Sequence, residues 1–155
     1  MTALAGKFNV VQALAVAEAD LDLPGTARSR LLPLEGAILS KNTEIAVFLI
    51  KNVANINLKD TDGDTFAFLA AFLGDLEVVV ALSEAGADFD TAGVTGSRRS
   101  PVAAAAIRGN VEVVEFLVSR GVDLSARDAD GKTAQDLAEE AGYTDIAKIL
   151  STDPK

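Results

Sequence analysis

The sequence predicts an all-α solenoid of stacked helix-turn-helix units with protruding loops. Three observations carry that expectation. Gly6, Lys41, Gly74, Gly109 and Gly142 fall in one register, with successive spacings of 35, 33, 35 and 33 residues. Self-similarity at such a period is the mark of a repeat architecture. Aromatic residues make up only 5% of a chain that is 49% hydrophobic, so Ala, Leu and Val carry the apolar content. Small aliphatic side chains at that density suit closely packed helices better than a sheet sandwich.

Each unit reads in the same order. Eight residues before the register point stand Pro33, Phe66, Pro101 and Ala134. Thr65, Ser100 and Thr133 precede three of them, whereas Leu32 breaks the pattern. A hydroxyl followed by Pro starts a helix, because the hydroxyl caps an orphan N–H and Pro has none to waste. Short segments follow: LEGAIL, AFLAAF, VAAAAI and QDLAEE. The Gly then ends the first helix. A second helix is marked by apolar residues at helical spacing: Ile45, Phe48, Leu49; Val78, Val79, Leu82; Val113, Phe116, Leu117; Ile146, Ile149, Leu150. It closes at Val53, Gly86 or Gly121, and a loop leads on. One such helix pair cannot bury its apolar face alone, so the units must stack.

This pattern resembles the ankyrin repeat over almost the whole chain. Asp60–Asp90 (DTDGDTFAFLAAFLGDLEVVVALSEAGADFD) is similar to a near-consensus unit, and Ala126–Leu150 to a C-terminal capping unit. The chain is therefore divided as one domain, 1–155, with units at 1–23 (partial), 28–58, 59–92, 93–126 and 127–151. The family's Thr-Pro-Leu-His corner is never complete here, since Glu35, Phe68, Ala103 and Asp136 replace its His. Lys41 replaces the turn Gly and is expected to take positive φ at some cost. The two 35-residue spacings put two-residue insertions in the loops around Pro24–Arg30 and Gly93–Arg99.

Composition narrows the function classes. With no Cys and no His, disulfides, Cys or His metal sites, Ser-His-Asp triads and His bases are excluded. The net charge is −9, and residues 59–92, with one basic and eight acidic side chains, hold −7 of it. Such a chain repels phosphate backbones, so a nucleic-acid partner is not expected and a basic protein surface is. No stretch reaches the roughly 18 apolar residues of a membrane span. No signal peptide is visible, and the expected location is cytoplasmic; a periplasmic or secreted mature form is the alternative. The chain is expected to be a monomer without cofactors.

The resemblance implies a partner protein gripped by loop tips and first helices on a concave face. Carried over, the tips are Arg28, Ser29, Arg30 and Leu31; Thr61, Asp62 and Asp64; Ser97, Arg98 and Arg99; Ala129, Asp130 and Lys132. The helix positions are Leu39 and Ser40, Phe72 and Leu73, Ile107 and Arg108, and Glu140 and Ala141. Phe72 and Leu73 are read as an apolar anchor, because a solvated apolar pair without a fold benefit costs solubility. Phe68 is read as filling the volume of the missing corner His. The Asp60, Asp62, Asp64 run looks like a calcium loop, but Ala71 stands where the closing Glu is needed, so it is read as an ordinary acidic loop. The Asp128, Asp130, Gly131, Lys132, Thr133 run is read the same way, and its GKT is no phosphate loop, because Ala126 stands at the leading Gly. Arg98 and Arg99 either clasp a carboxylate or phosphate bidentately or form a solvated loop. Carboxylates are plentiful but lie on loops and solvent faces, so no enzyme is expected. The function expected is partner binding that inhibits, neutralises or regulates, or else a piece of a larger structural scaffold.

Overall fold

The computed structural model describes residues 32–52, 55, 56, 58–60, 62–94 and 98–151. The partial first unit, its Gly6, the loop at Pro24–Arg30 and Val53 lie outside the described residues. Eight helices run through the described part: α1 Pro33–Leu39, α2 Thr43–Asn52, α3 Phe66–Leu73, α4 Leu76–Glu84, α5 Pro101–Ile107, α6 Val111–Ser119, α7 Ala134–Glu140 and α8 Thr144–Ser151. They pair as α1/α2, α3/α4, α5/α6 and α7/α8, and the pairs stack. The first helices form one row and the second helices another.

The expected starts are the observed ones, and each is chemically capped. Thr65 Oγ1 accepts from Phe68 N at 3.1 Å, and Ser100 Oγ from Ala103 N at 3.4 Å. Thr133 and Asp136 form a reciprocal box: Asp136 N donates to Thr133 Oγ1 at 3.2 Å and Thr133 N to Asp136 Oδ2 at 2.9 Å. Leu32 has no hydroxyl to offer α1. There Glu35 Oε2 accepts from Leu32 N at 3.0 Å. Glu35 is buried, at 2% exposure. Two of the four residues that replace the corner His thus close a helix start instead.

The turn between the helices needs left-handed backbone. Gly74 and Gly109 have φ of 76° and 74°, and Lys41 takes 54° as a non-glycine residue. A second constraint is steric. A Cβ at Gly74 would lie 2.5 Å from Asn110 Oδ1, and one at Gly109 would lie 2.6 Å from the Tyr143 ring. In each case the obstacle is the residue after the turn in the next unit. At Lys41 the equivalent residue is Asp75, whose carboxylate accepts from Val78 N and from the Thr43 hydroxyl.

The buried side chains form one cluster running through the stack, including Leu49, Phe66, Val78, Val79, Leu82, Val102, Val113, Leu117 and Ile146. Full burial of a Val, Leu or Phe contributes roughly 1.5–3 kcal/mol, so a helix pair becomes stable only once a neighbour covers it. The Ala-rich first helices, with Ala70, Ala71 and Ala103 to Ala106 buried, let backbones approach closely. From α3 to α7 the first helices lie nearer one another than do the second helices α4, α6 and α8. That asymmetry makes the first-helix side the inner side of the stack there.

Candidate partner-binding face

The loop between units begins with a hairpin tip. Asp60 N donates to Asp64 O at 2.8 Å, Gly63 N donates to Asp60 O at 3.0 Å, and Lys59 bridges antiparallel to Thr65. Asp60 Oδ1 accepts from Asp62 N at 3.0 Å and Asp64 N at 2.8 Å. Asp128 repeats the arrangement, with Oδ1 accepting from Asp130 N at 2.9 Å and Lys132 N at 3.0 Å. These carboxylates face their own backbone, which accounts for the apparent calcium pattern. Among the described residues, no group of three or more metal-ligating side chains converges. Burial pushes the Asp60 carboxyl up, the amides of Asp64 and Asp62 pull it partly back, and the nearby Asp64 and Glu35 carboxylates add to the rise.

In the third loop, the lengthened one around Gly93–Arg99, the described ends are both held. Asp64, 4% exposed, accepts from Val94 N, and Gly93 N donates to Arg99 O at 2.8 Å. Arg99 Nε lies 3.5 Å from Asp128 Oδ2, and the Asp128 side chain is wholly buried. Arg99 is thus paired with the neighbouring tip, which is neither the two-arginine clasp nor the solvated loop of the sequence reading. Arg98 is exposed, with φ of 53°. Asp62 is exposed too, whereas Asp64 serves the loop rather than the surface. Arg30 lies outside the described residues, as do Arg28, Ser29, Leu31, Thr61 and Ser97.

On the inner side, the last turns of α3 and α5 come together. The Arg108 guanidinium stands 4.8 Å from the centroid of the Phe72 ring. Phe72 stacks on Phe68, with centroids 6.1 Å apart and planes at 16°. The Asn110 side-chain amide donates to Ala71 O at 2.9 Å and Phe72 O at 3.2 Å, tying the end of α3 to the next unit. Phe72 and Leu73 are both half-buried, and Leu73 packs against the core. This corrects the expectation of a solvated pair: Leu73 has a fold role, and Phe72 is covered on one side by Phe68 and on another by Arg108. Phe68 also abuts the third loop, since a Cβ on Gly93 would lie 3.0 Å from its ring. Ile107 is half-buried, and Leu39, at the end of α1, is 45% exposed. Glu140 pairs with Lys132 Nζ at 2.6 Å.

Asn110, Tyr143 and Val94 escape a reading of the sequence, as does the contact that Asp128 makes with Arg99. The first two follow the turn residue, and their reach across units is invisible within one repeat. Asp128 carried a signal, because it stands two units from Asp60 in the same register.

A family model described as "Ankyrin repeats (3 copies)" matches residues 68–155, more than half of the chain. The chain belongs to the ankyrin-repeat family. Ankyrin repeats are general protein–protein interaction modules, and the fold is a non-catalytic one. Among curated relatives, the chain is 31% identical over 108 residues to alpha-latrocrustotoxin-Lt1a of Latrodectus tredecimguttatus, covering 70% of this chain and 8% of that protein. It is 30% identical over 122 residues to ankyrin repeat and SOCS box protein 11 of Pongo abelii, covering 79% and 37%. It is 26% identical over 123 residues to a putative ankyrin repeat protein of Rickettsia felis, covering 79% and 40%. The chain thus spans well under half the length of these relatives. Among the described residues, no helix is long and apolar enough to cross a membrane.

Proposed function

We propose that this ankyrin chain binds a partner protein through the face made by the last turns of its first helices. Binding there inhibits, neutralises or otherwise regulates that partner. The observation that supports this reading most is the Phe68–Phe72–Arg108 stack, a half-buried aromatic and a cation at positions the fold does not need for its turns. Aromatic and arginine side chains in such settings often dominate binding energy. The stacked helix pairs present these side chains from regular secondary structure, which lowers the ordering cost of association. Exposed Leu39 and half-buried Ile107 hold the register positions equivalent to Phe72 in the neighbouring units, and Asp62 and Arg98 supply charge at the tips.

A scaffold role within a longer protein is the second reading, favoured by the small share of each relative that the chain spans. Affinity capture from cells of the source organism separates the two. One partner in stoichiometric amount supports the regulatory reading. Phe72→Ser should then weaken that partner's binding at least about tenfold, a typical loss for an anchor residue, with helical circular dichroism unchanged. Undiminished binding by the variant would remove Phe72 from the site.

A further inference from the structure

From α3 to α7 the inner face presents Phe72 beside half-buried Leu73 and Ile107, which also pack against the core, with Leu39 at the equivalent register position in α1; among the described residues its charges at the helix ends are Arg108 and the Glu140–Lys132 pair. Glu140 is neutralised by Lys132 at 2.6 Å. Arg108 is exposed and takes part in none of the ion pairs among the described residues. Its guanidinium is held over the Phe72 ring. A guanidinium drawn to a ring face retains N–H donors that the ring does not satisfy, and their fork matches a carboxylate. The support beneath is rigid: Phe68 backs the Phe72 ring, and Asn110 holds the Phe72 carbonyl. The surroundings restrict how much negative charge can approach. The chain carries −9, with Asp62 and Asp130 exposed at the tips beyond the face. A strongly acidic segment is repelled by that field several times over, whereas a single carboxylate set among apolar side chains meets only a weak, screened repulsion that the adjacent Arg108 opposes.

We propose that the Arg108–Phe72 pair selects a partner segment of apolar side chains carrying a single Asp or Glu, whose carboxylate is received by the Arg108 guanidinium. The proposal rests on the binding face described above and names its occupant. Apolar side chains of the segment lie along Leu39, Phe72 and Ile107, while the carboxylate fixes its register. A cation in place of the carboxylate is disfavoured by like charge, which gives the face its discrimination.

A phage-displayed library of random dodecapeptides, panned on the full chain, tests this. The parallel targets are Arg108→Gln, Arg108→Glu and Phe72→Ser. The wild-type chain should enrich apolar peptides with one Asp or Glu. In a synthetic copy of the leading peptide, converting that acid to its amide should weaken binding about tenfold on the wild type. The same change should matter little on Arg108→Gln, and Arg108→Glu should enrich Lys or Arg instead. Thermal unfolding of each variant confirms folding, and the neutral Gln variant serves if the reversal fails to fold. Enrichment without an acid, equal affinities on wild type and Arg108→Gln, or no enrichment at all would overturn the proposal. Binders that survive Phe72→Ser as well would overturn the face itself; binders lost on Phe72→Ser but indifferent to Arg108 would overturn the carboxylate alone.

Discussion

Lys41 shows how far one residue can depart from a repeat and why. Its register position demands left-handed backbone, and its φ is 54°. An L-residue there costs roughly 1–2 kcal/mol, and glycine returns about half of that as entropy lost on folding. Lys41→Gly should therefore raise stability by about 0.5–1 kcal/mol, or roughly 2–3 °C in thermal unfolding. No change, or a fall, would mean that the lysine side chain makes a compensating contact. The sequence alone exposes the substitution and its strain. It does not show that the Asp75 carboxylate accepts from the Thr43 hydroxyl of the preceding unit as well as from Val78 N. The same limit applies to Leu73. Its place before the turn suggests solvent, while the stacking of units gives it a core contact.

Among the elements, the helices were legible and the loops were not. Hydroxyl or Pro starts and the apolar spacing place all four first helices, because caps and periodicity are local signals. The third loop is different. Its hold depends on Asp64 before it and Asp128 after it, contacts made between units. The acidic tip at Asp60 makes the point in a measurable way. Burial raises the Asp60 carboxyl, so its charged form opposes folding. A raised carboxyl contributes stability below its unfolded value and loses it as pH climbs through the folded one. Asp60→Asn keeps an Oδ1 to accept from both Asp62 N and Asp64 N. The variant should be more stable than wild type near neutral pH. That advantage should vanish as pH falls below the ordinary carboxylate range, as read by denaturant midpoints across pH. An advantage that persists at low pH would contradict the charge origin.

At the scale of the molecule, the uneven spacing of the two helix rows matters most. From α3 to α7, Ala at the inner row draws the first helices together, while bulkier second helices stay further apart. The ends of α3 and α5 therefore meet, and Phe72 and Arg108, 36 positions apart in sequence, share one site. Candidate residues could be named from register alone; their pairing could not, because it depends on helix spacing that small side chains set collectively. The fold was thus readable from repetition, whereas the site depended on what repetition brings into contact. The most direct test of the binding face is amide hydrogen exchange of the chain with and without its captured partner. Slowed exchange should concentrate in 66–73 and 101–108, with α4 and α6 on the outer row unaffected. Protection confined to 76–84 and 111–119 would place the partner on the opposite side and contradict the inner-face reading.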